Sequence, residues 1–200
     1  MALKPENFEN KNNNFSKVTF VIEDGKLVIN KRPVTLTSAS DEKTYDGQPL
    51  TKKEVTASTG ENEGFVKGQG AAYDVTGSQT NVGESDNTFT YTLNEGTKAD
   101  NYTITKVEGK LKVTAATDEV IVTIKENAGT VTYDGTEKTV TGYTVKSISN
   151  TLYKATDFEF KGTAEVKGTD AGTYDMALKP ENFENKNNNF SKVTFVIEDG

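Results

Sequence analysis

The side chains able to do chemistry in this chain are carboxylates, amides, hydroxyls and amines, because it contains no histidine, cysteine or tryptophan. That removes thiol nucleophiles, imidazole bases, disulfides and the usual transition-metal ligands together. Acidic clusters stand at Glu61-Asn62-Glu63, at Glu84-Ser85-Asp86-Asn87 and between Glu181 and Asn189. Calcium needs about six to eight converging oxygens, usually from a loop of the pattern D-x-[DN]-x-[DN]-G-x5-E, and no segment has that spacing. A carboxylate pair for glycoside hydrolysis can be drawn on any acidic chain, and nothing raises one pair above another. The chain therefore reads as non-enzymatic, with no catalytic residue, cofactor or metal site expected. Stacking on sugar faces is one further chemistry, with Tyr73, Tyr143, Tyr153, Phe158 and Phe160 as candidates. The alternating positions of several of these favour packing within a sheet instead.

Two turns of like sequence, Tyr45-Asp46-Gly47 and Tyr133-Asp134-Gly135, are the other candidate site. The residue types favour a structural reading over a ligand loop. Glycine permits a positive φ, an aspartate carboxylate can accept from its own backbone, and the tyrosine packs at a strand end. The net charge is -7 with lysines interleaved among the acids, so no basic stripe exists to neutralise phosphate and no nucleic-acid partner is expected. No apolar run approaches membrane-spanning length, and no signal peptide or sorting motif is present. The lack of cysteine fits a secreted and a cytosolic protein equally.

Such turns need strands to hold them, and the composition supplies strands rather than helices. Hydrophobic residues make up 33% of the chain, and threonine, asparagine and glycine are abundant. This suits thin β-modules with one wet, threonine-rich face. Val34 and Leu36 point inward, as do Phe89, Tyr91 and Leu93, between outward Thr88, Thr90 and Thr92. The organising feature is a duplication: residues 1–25 return unchanged as residues 176–200. Met1 thus repeats Met176 and reads as a cut within a period of a longer array.

Landmarks divide the period into two diverged copies of one unit. Tyr45-Asp46-Gly47 answers to Tyr133-Asp134-Gly135, Val75-Thr76-Gly77 to Val166-Lys167-Gly168, Tyr91-Thr92-Leu93 to Met176-Ala177-Leu178, Asn101-Tyr102 to Asn189-Phe190, and Gly109 to Gly200. The domains expected are residues 31–115 (module A), 116–200 (module B), and 1–30 as the end of a preceding B-type unit. Residues 17–30 of that segment read as a hairpin, turned by Asp24-Gly25 with positive φ. Residues 115–118 form a short linker, and brief helical turns are expected near Leu152 to Phe158. Module A ends in Gly109-Lys110-Leu111-Lys112-Val113, whereas module B stops at Gly200. Its last strand, Lys26-Leu27-Val28-Ile29-Asn30, stands at the other end of the chain. Burial of Leu27, Val28 and Ile29 contributes about 1.5–3 kcal/mol each, against about 5–15 kcal/mol for a whole small domain. Head-to-tail strand exchange is therefore expected, residues 1–30 of one molecule completing module B of another or displacing its own copy.

Asp41-Glu-Lys-Thr-Tyr-Asp-Gly-Gln-Pro-Leu50 and Gly77-Ser-Gln-Thr-Asn-Val-Gly83 carry a resemblance to the MBG-type repeats of bacterial surface proteins. It extends over nearly the whole chain and is closer in module A than in B. Tyr91-Thr-Leu-Asn-Glu95 also resembles the Tyr-x-Leu-x-Glu segment of Cna-type surface domains, where a buried glutamate promotes a Lys to Asn isopeptide bond. Module B has lost both the tyrosine and the glutamate of that segment.

The MBG resemblance implies a module of a wall-attached, extracellular Gram-positive adhesin, with no catalytic residues. The expected fold is mainly β: two tandem, small, antiparallel sandwich-like modules forming an elongated rod, with a β-grasp-like arrangement as the alternative. The expected function is a spacer or stalk that works by reach and mechanical persistence, its partners being neighbouring repeats. The alternative is that the modules bind a host glycan or protein weakly per copy and strongly through many.

Overall fold

The computed structural model describes residues 3–200; Met1 and Ala2, and with them the reading of Met1 as a cut, lie outside the described residues. The chain is mainly β, and its only helices among the described residues are three 3-10 turns at Pro5–Asn7, Ala99–Asn101 and Pro180–Asn182. The first half holds β1 (Arg32–Ser38), β2 (Asp41–Thr44), β3 (Val55–Ala57), β4 (Ala71–Val75), β5 (Gly83–Asp86), β6 (Phe89–Leu93), β7 (Tyr102–Val107) and β8 (Lys110–Thr114). The second half holds β9 (Val120–Glu126), β10 (Lys138–Thr141), β11 (Tyr143–Ile148), β12 (Phe158–Phe160), β13 (Glu165–Gly168), β14 (Phe183–Asn185) and β15 (Val193–Glu198).

In β1, the alternation of β-branched and apolar residues places Val34, Leu36 and Ser38 inward and buried. β1 pairs in parallel with β7, Arg32 opposite Tyr102 through Thr37 opposite Val107. Its other edge meets β3 only from Leu36 to Ser38, so Pro33 sits beside no partner that needs its missing N–H. At Ala39 and at Gly109 both chains cross together into a second sheet, ordered β2-β8-β5, where β2 and β8 are again parallel and β5 closes antiparallel. A two-stranded pair, β4 and β6, completes the half. The first sheet and this pair enclose a core of Val34, Leu36, Val75, Phe89 and Tyr102, and the second sheet a smaller one of Leu50, Leu111 and Val113.

The second half repeats the first sheet as β11-β9-β15, with β9 and β15 parallel, Val193 opposite Val120. Two antiparallel pairs, β10 with β13 and β12 with β14, stand beside it. Its core joins Val120, Val122, Ile124, Tyr153, Leu178, Phe183, Phe190 and Phe195 in one cluster. The two halves share one corner. A Cβ on Gly109 would stand 2.4 Å from the Ser38 carbonyl oxygen, and one on Gly200 would stand 2.9 Å from the carbonyl oxygens of Glu126 and Asn127. Glycine is needed there because the returning strand crosses directly over the carbonyls that follow the first strand.

The antiparallel-rich sheets expected from sequence are present, and beside them stand three parallel pairs, β1 with β7, β2 with β8 and β9 with β15. Several expectations are corrected by this topology. No hairpin forms over residues 17–30, and no strand is present from residue 3 to residue 31. Gly25 is absent from the positive-φ glycines, so Asp24-Gly25 makes no such turn. The reason lies in β7 and β8: the two flank Gly109 but belong to different sheets, so the segment is a crossing and neither strand forms without its parallel neighbour. Register also makes Val193 the counterpart of Tyr102, three residues beyond Phe190. At residues 151–157 the chain makes hydrogen-bonded turns, not helix, and Phe158 already opens β12. Residues 176–178, aligned with part of β6, form no strand, and Ala177 there has a φ of 59°.

Candidate functional site

Both Tyr-Asp-Gly turns have the same local geometry. Gly47 and Gly135 each have a φ of 79°. Asp46 Oδ1 accepts from the Gln48 N–H at 2.9 Å and from Lys43 Nζ at 2.6 Å. Asp134 Oδ1 accepts from the Thr136 N–H at 3.0 Å, and its Oδ2 from Lys138 Nζ at 2.6 Å. The lysine beside each carboxylate holds both aspartates below their ordinary pKa, followed at Asp46 by the Gln48 N–H and at Asp134 by the Thr136 hydroxyl and then its N–H. The two tyrosines part company: Tyr45 packs edge-on against Phe190 at 5.5 Å, whereas Tyr133 is 64% exposed.

The proposed sugar-stacking aromatics are built into packing. Tyr153 is buried, with its hydroxyl on Asn185 Oδ1 at 2.9 Å. Tyr143 lies against Phe160 and Phe183, Phe158 against Phe183 and Phe195, and Tyr73 against Phe89. The acidic clusters are neutralised locally or turned outward. Lys110 Nζ reaches Asp86 at 2.7 Å and Glu84 at 3.7 Å. Hydrogen bonds from Lys161 and Lys186 lower the Glu184 carboxyl to about 2. Among the described residues, no group of three or more acidic side chains is placed to hold a metal ion. Glu95 is exposed beside the Gly96 turn, so it has none of the burial an isopeptide-promoting glutamate requires.

Two positioning residues carry no strong sequence signal. Asn87 is fully buried at the crossing corner, where its Nδ2 donates to Ala39 O at 2.9 Å and Lys52 O at 2.8 Å. Its backbone N–H donates to Gly109 O at 2.8 Å, and Ser38 Oγ donates to its carbonyl at 2.6 Å. Arg32 directs its guanidinium at four carbonyls of one loop, those of Gly60, Glu61, Glu63 and Gly64, at 2.6–3.1 Å. Its being the chain's sole arginine was the available hint. A planar fork can satisfy four carbonyls at once in a way that an ammonium cannot.

The halves meet at a packed junction. Asn189 Oδ1 accepts from the Val82 N–H at 2.7 Å and its Nδ2 donates to Asn81 Oδ1 at 3.1 Å. Phe190 packs edge-on between Tyr45 and Tyr153 at 5.5 and 5.3 Å. Leu152 lies over Gly47, close enough that a Cβ there would meet its Cδ2 at 2.9 Å. The connection at residues 115–118 is tied down as well, Ala116 N–H to Asn189 O at 2.9 Å and Ser191 N–H to Ala116 O at 3.0 Å. In the second half an open groove lies beside the Tyr133-Asp134-Gly135 turn. Residues 129–133 and 172–175 hold the places of β2 and β5 without forming strands. Between them is a cavity of about 490 Å³ lined by Val131, Tyr133, Val140, Val166, Gly172 and Tyr174. Asp24, Gly25 and Lys26 to Asn30 stand apart from it, with Leu27 and Ile29 85% and 84% exposed.

No helix among the described residues is long and apolar enough to cross a membrane. No curated protein and no solved structure matches the chain. The family model of the MBG domain matches residues 119–199. The match thus falls on the second half, although the resemblance read from sequence was closer in the first. Residues 119–199 are similar to the MBG domain, a module type of extracellular surface proteins.

Proposed function

We propose that this chain is a non-catalytic spacer segment of a bacterial surface protein, in which consecutive modules pack end to end and hold an adhesive region away from the cell wall. The observation that carries the reading is the junction. Asn189 and Phe190 of the second half fasten directly onto Asn81, Val82 and Tyr45 of the first, and the intervening linker is itself hydrogen-bonded. A joint held this way limits bending, and successive modules separated by such joints extend rather than coil. The duplication of residues 1–25 at 176–200 supports repetition of the pair.

The test is small-angle scattering on chains carrying one, two and three copies of the 175-residue period. The expected result is a maximum dimension that rises in proportion to copy number. Growth as roughly the square root of copy number, the behaviour of flexible linkage, overturns the spacer reading.

A further inference from the structure

We infer that the open groove of the second half is a strand-binding site whose occupant is the segment Lys26–Asn30 of a second copy of this chain. The inference does not depend on the spacer reading. In the first half the equivalent cleft is filled by β8, which runs parallel to β2 and antiparallel to β5. Residues 110–114 follow the crossing glycine Gly109, and residues 26–30 follow Gly25, the duplicate of Gly200. Gly109 and Gly200 occupy the same corner, each against the carbonyls that end the first strand of its half. A strand that follows a glycine at this corner, as Lys110 follows Gly109 and Lys26 follows Gly25, is aimed into the cleft.

The register of the first half can be carried over residue by residue. Leu111 lies opposite Asp41 and Ser85, and Val113 opposite Lys43 and Gly83. Leu27 then falls between Gly129 and Tyr174, and Ile29 between Val131 and Gly172. Leu111 and Val113 are 0% and 1% exposed in their cleft, and Leu27 and Ile29 are the apolar residues at the same two positions. Charge follows the same register: Lys110 bridges to Asp86 at 2.7 Å, and Lys26 would face Asp175. The groove walls are apolar where the two side chains arrive, with Val131 and Tyr174 65% and 46% exposed. An unpaired backbone edge on each side supplies the hydrogen bonds of strand addition. The donor stands at one end of the chain and the acceptor in the other half, so the contact is head to tail and grows as an open series.

The experiment is light scattering after size exclusion over a concentration series, on the full chain and on its Leu27→Asp/Ile29→Asp variant. Both substitutions lie outside the two folded halves and leave their cores intact. The expected result is a ladder of oligomers for the unaltered chain, shifted about tenfold or more to higher concentration in the variant, with the amides of residues 26–30 protected from exchange in the oligomer. Two results overturn the inference: a monomer at every concentration, or a ladder that the double substitution leaves unchanged. A second variant, Val131→Asp on the groove wall, is expected to weaken the ladder to a similar degree. A ladder insensitive to it places the contact elsewhere and overturns the site.

Discussion

At the scale of single residues, the buried polar groups are the ones that specify structure. Tyr153 is buried, and burial, then the charge of Asp157, pushes its hydroxyl up to about 12. A phenol whose folded pKa exceeds its ordinary value of 10 contributes stability that is fully present below pH 10 and is lost as pH rises through about 12. Denaturant midpoints are expected to fall across that window, and the Tyr153 ring resonances to titrate near its upper end. Tyr153 ring signals that move near pH 10, the ordinary phenol value, contradict this. Of these residue-level features, the Tyr-Asp-Gly turns were legible in sequence, because an Asx hydrogen bond and a positive-φ glycine are local matters. Asn87 was not, since its partners Ala39 and Lys52 are 48 and 35 residues away. Nothing local marks an asparagine as a buried plug.

At the scale of elements, the duplicated sequence separates what is encoded locally from what depends on context. The Lys4 N–H bonds Asn7 Oδ1 at 2.8 Å and the Lys179 N–H bonds Asn182 Oδ1 at 2.9 Å. The asparagine ladders match as well: the Asn12 and Asn14 N–H groups donate to Asn10 and Asn12 Oδ1 at 2.9 and 3.0 Å, as those of Asn187 and Asn189 donate to Asn185 and Asn187 Oδ1 at the same distances. Phe8 stacks on Phe20 at 5.5 Å as Phe183 does on Phe195 at 5.4 Å. Yet residues 193–198 form β15 while residues 18–23 form no strand. The difference is β9, against which only the second copy pairs. Alternation announced the strand face but not the parallel neighbour, and for that reason a hairpin was expected where a crossing occurs. The crossing makes a paired prediction. Gly109→Ala forces a Cβ to 2.4 Å from a backbone oxygen and is expected to cost about 1–3 kcal/mol or more. Gly25→Ala meets nothing within 4 Å and is expected to shift thermal stability of the dilute chain by less than about 0.5 kcal/mol. Equal effects from the two would show that the close approach is unimportant.

At the scale of the whole molecule, the junction couples residues more than a hundred positions apart. The Val82 N–H is satisfied by Asn189 Oδ1, so its protection is set by the other half. Asn189→Ala leaves that half-buried donor without its partner, at about 1–3 kcal/mol. Amide exchange at Val82 is expected to accelerate by about tenfold or more, with exchange in the β4 and β6 pair unchanged. Unaltered exchange at Val82 would mean that the halves fold with no energetic tie at this point. The joint was foreseen only as a short linker. Its asparagine and phenylalanine lie far along the chain from the residues they touch, and spacing alone gives no cue to such a pairing.

The parallel run of the first and last strands bears on how each half answers tension along the chain. A pull at Arg32 and at Thr114 draws β1 with β2 one way and β7 with β8 the other, in shear. The six residue pairs between β1 and β7 and the four between β2 and β8 are then loaded together rather than opened one after another. Resistance to such a pull is a matter of unfolding rate, which depends on how many contacts must break at once. The second half has the six pairs of β9 with β15 and an empty cleft in place of the other set. A strand seated in that cleft would put both halves under the same kind of load-sharing, and would place the joint between copies among its strongest points.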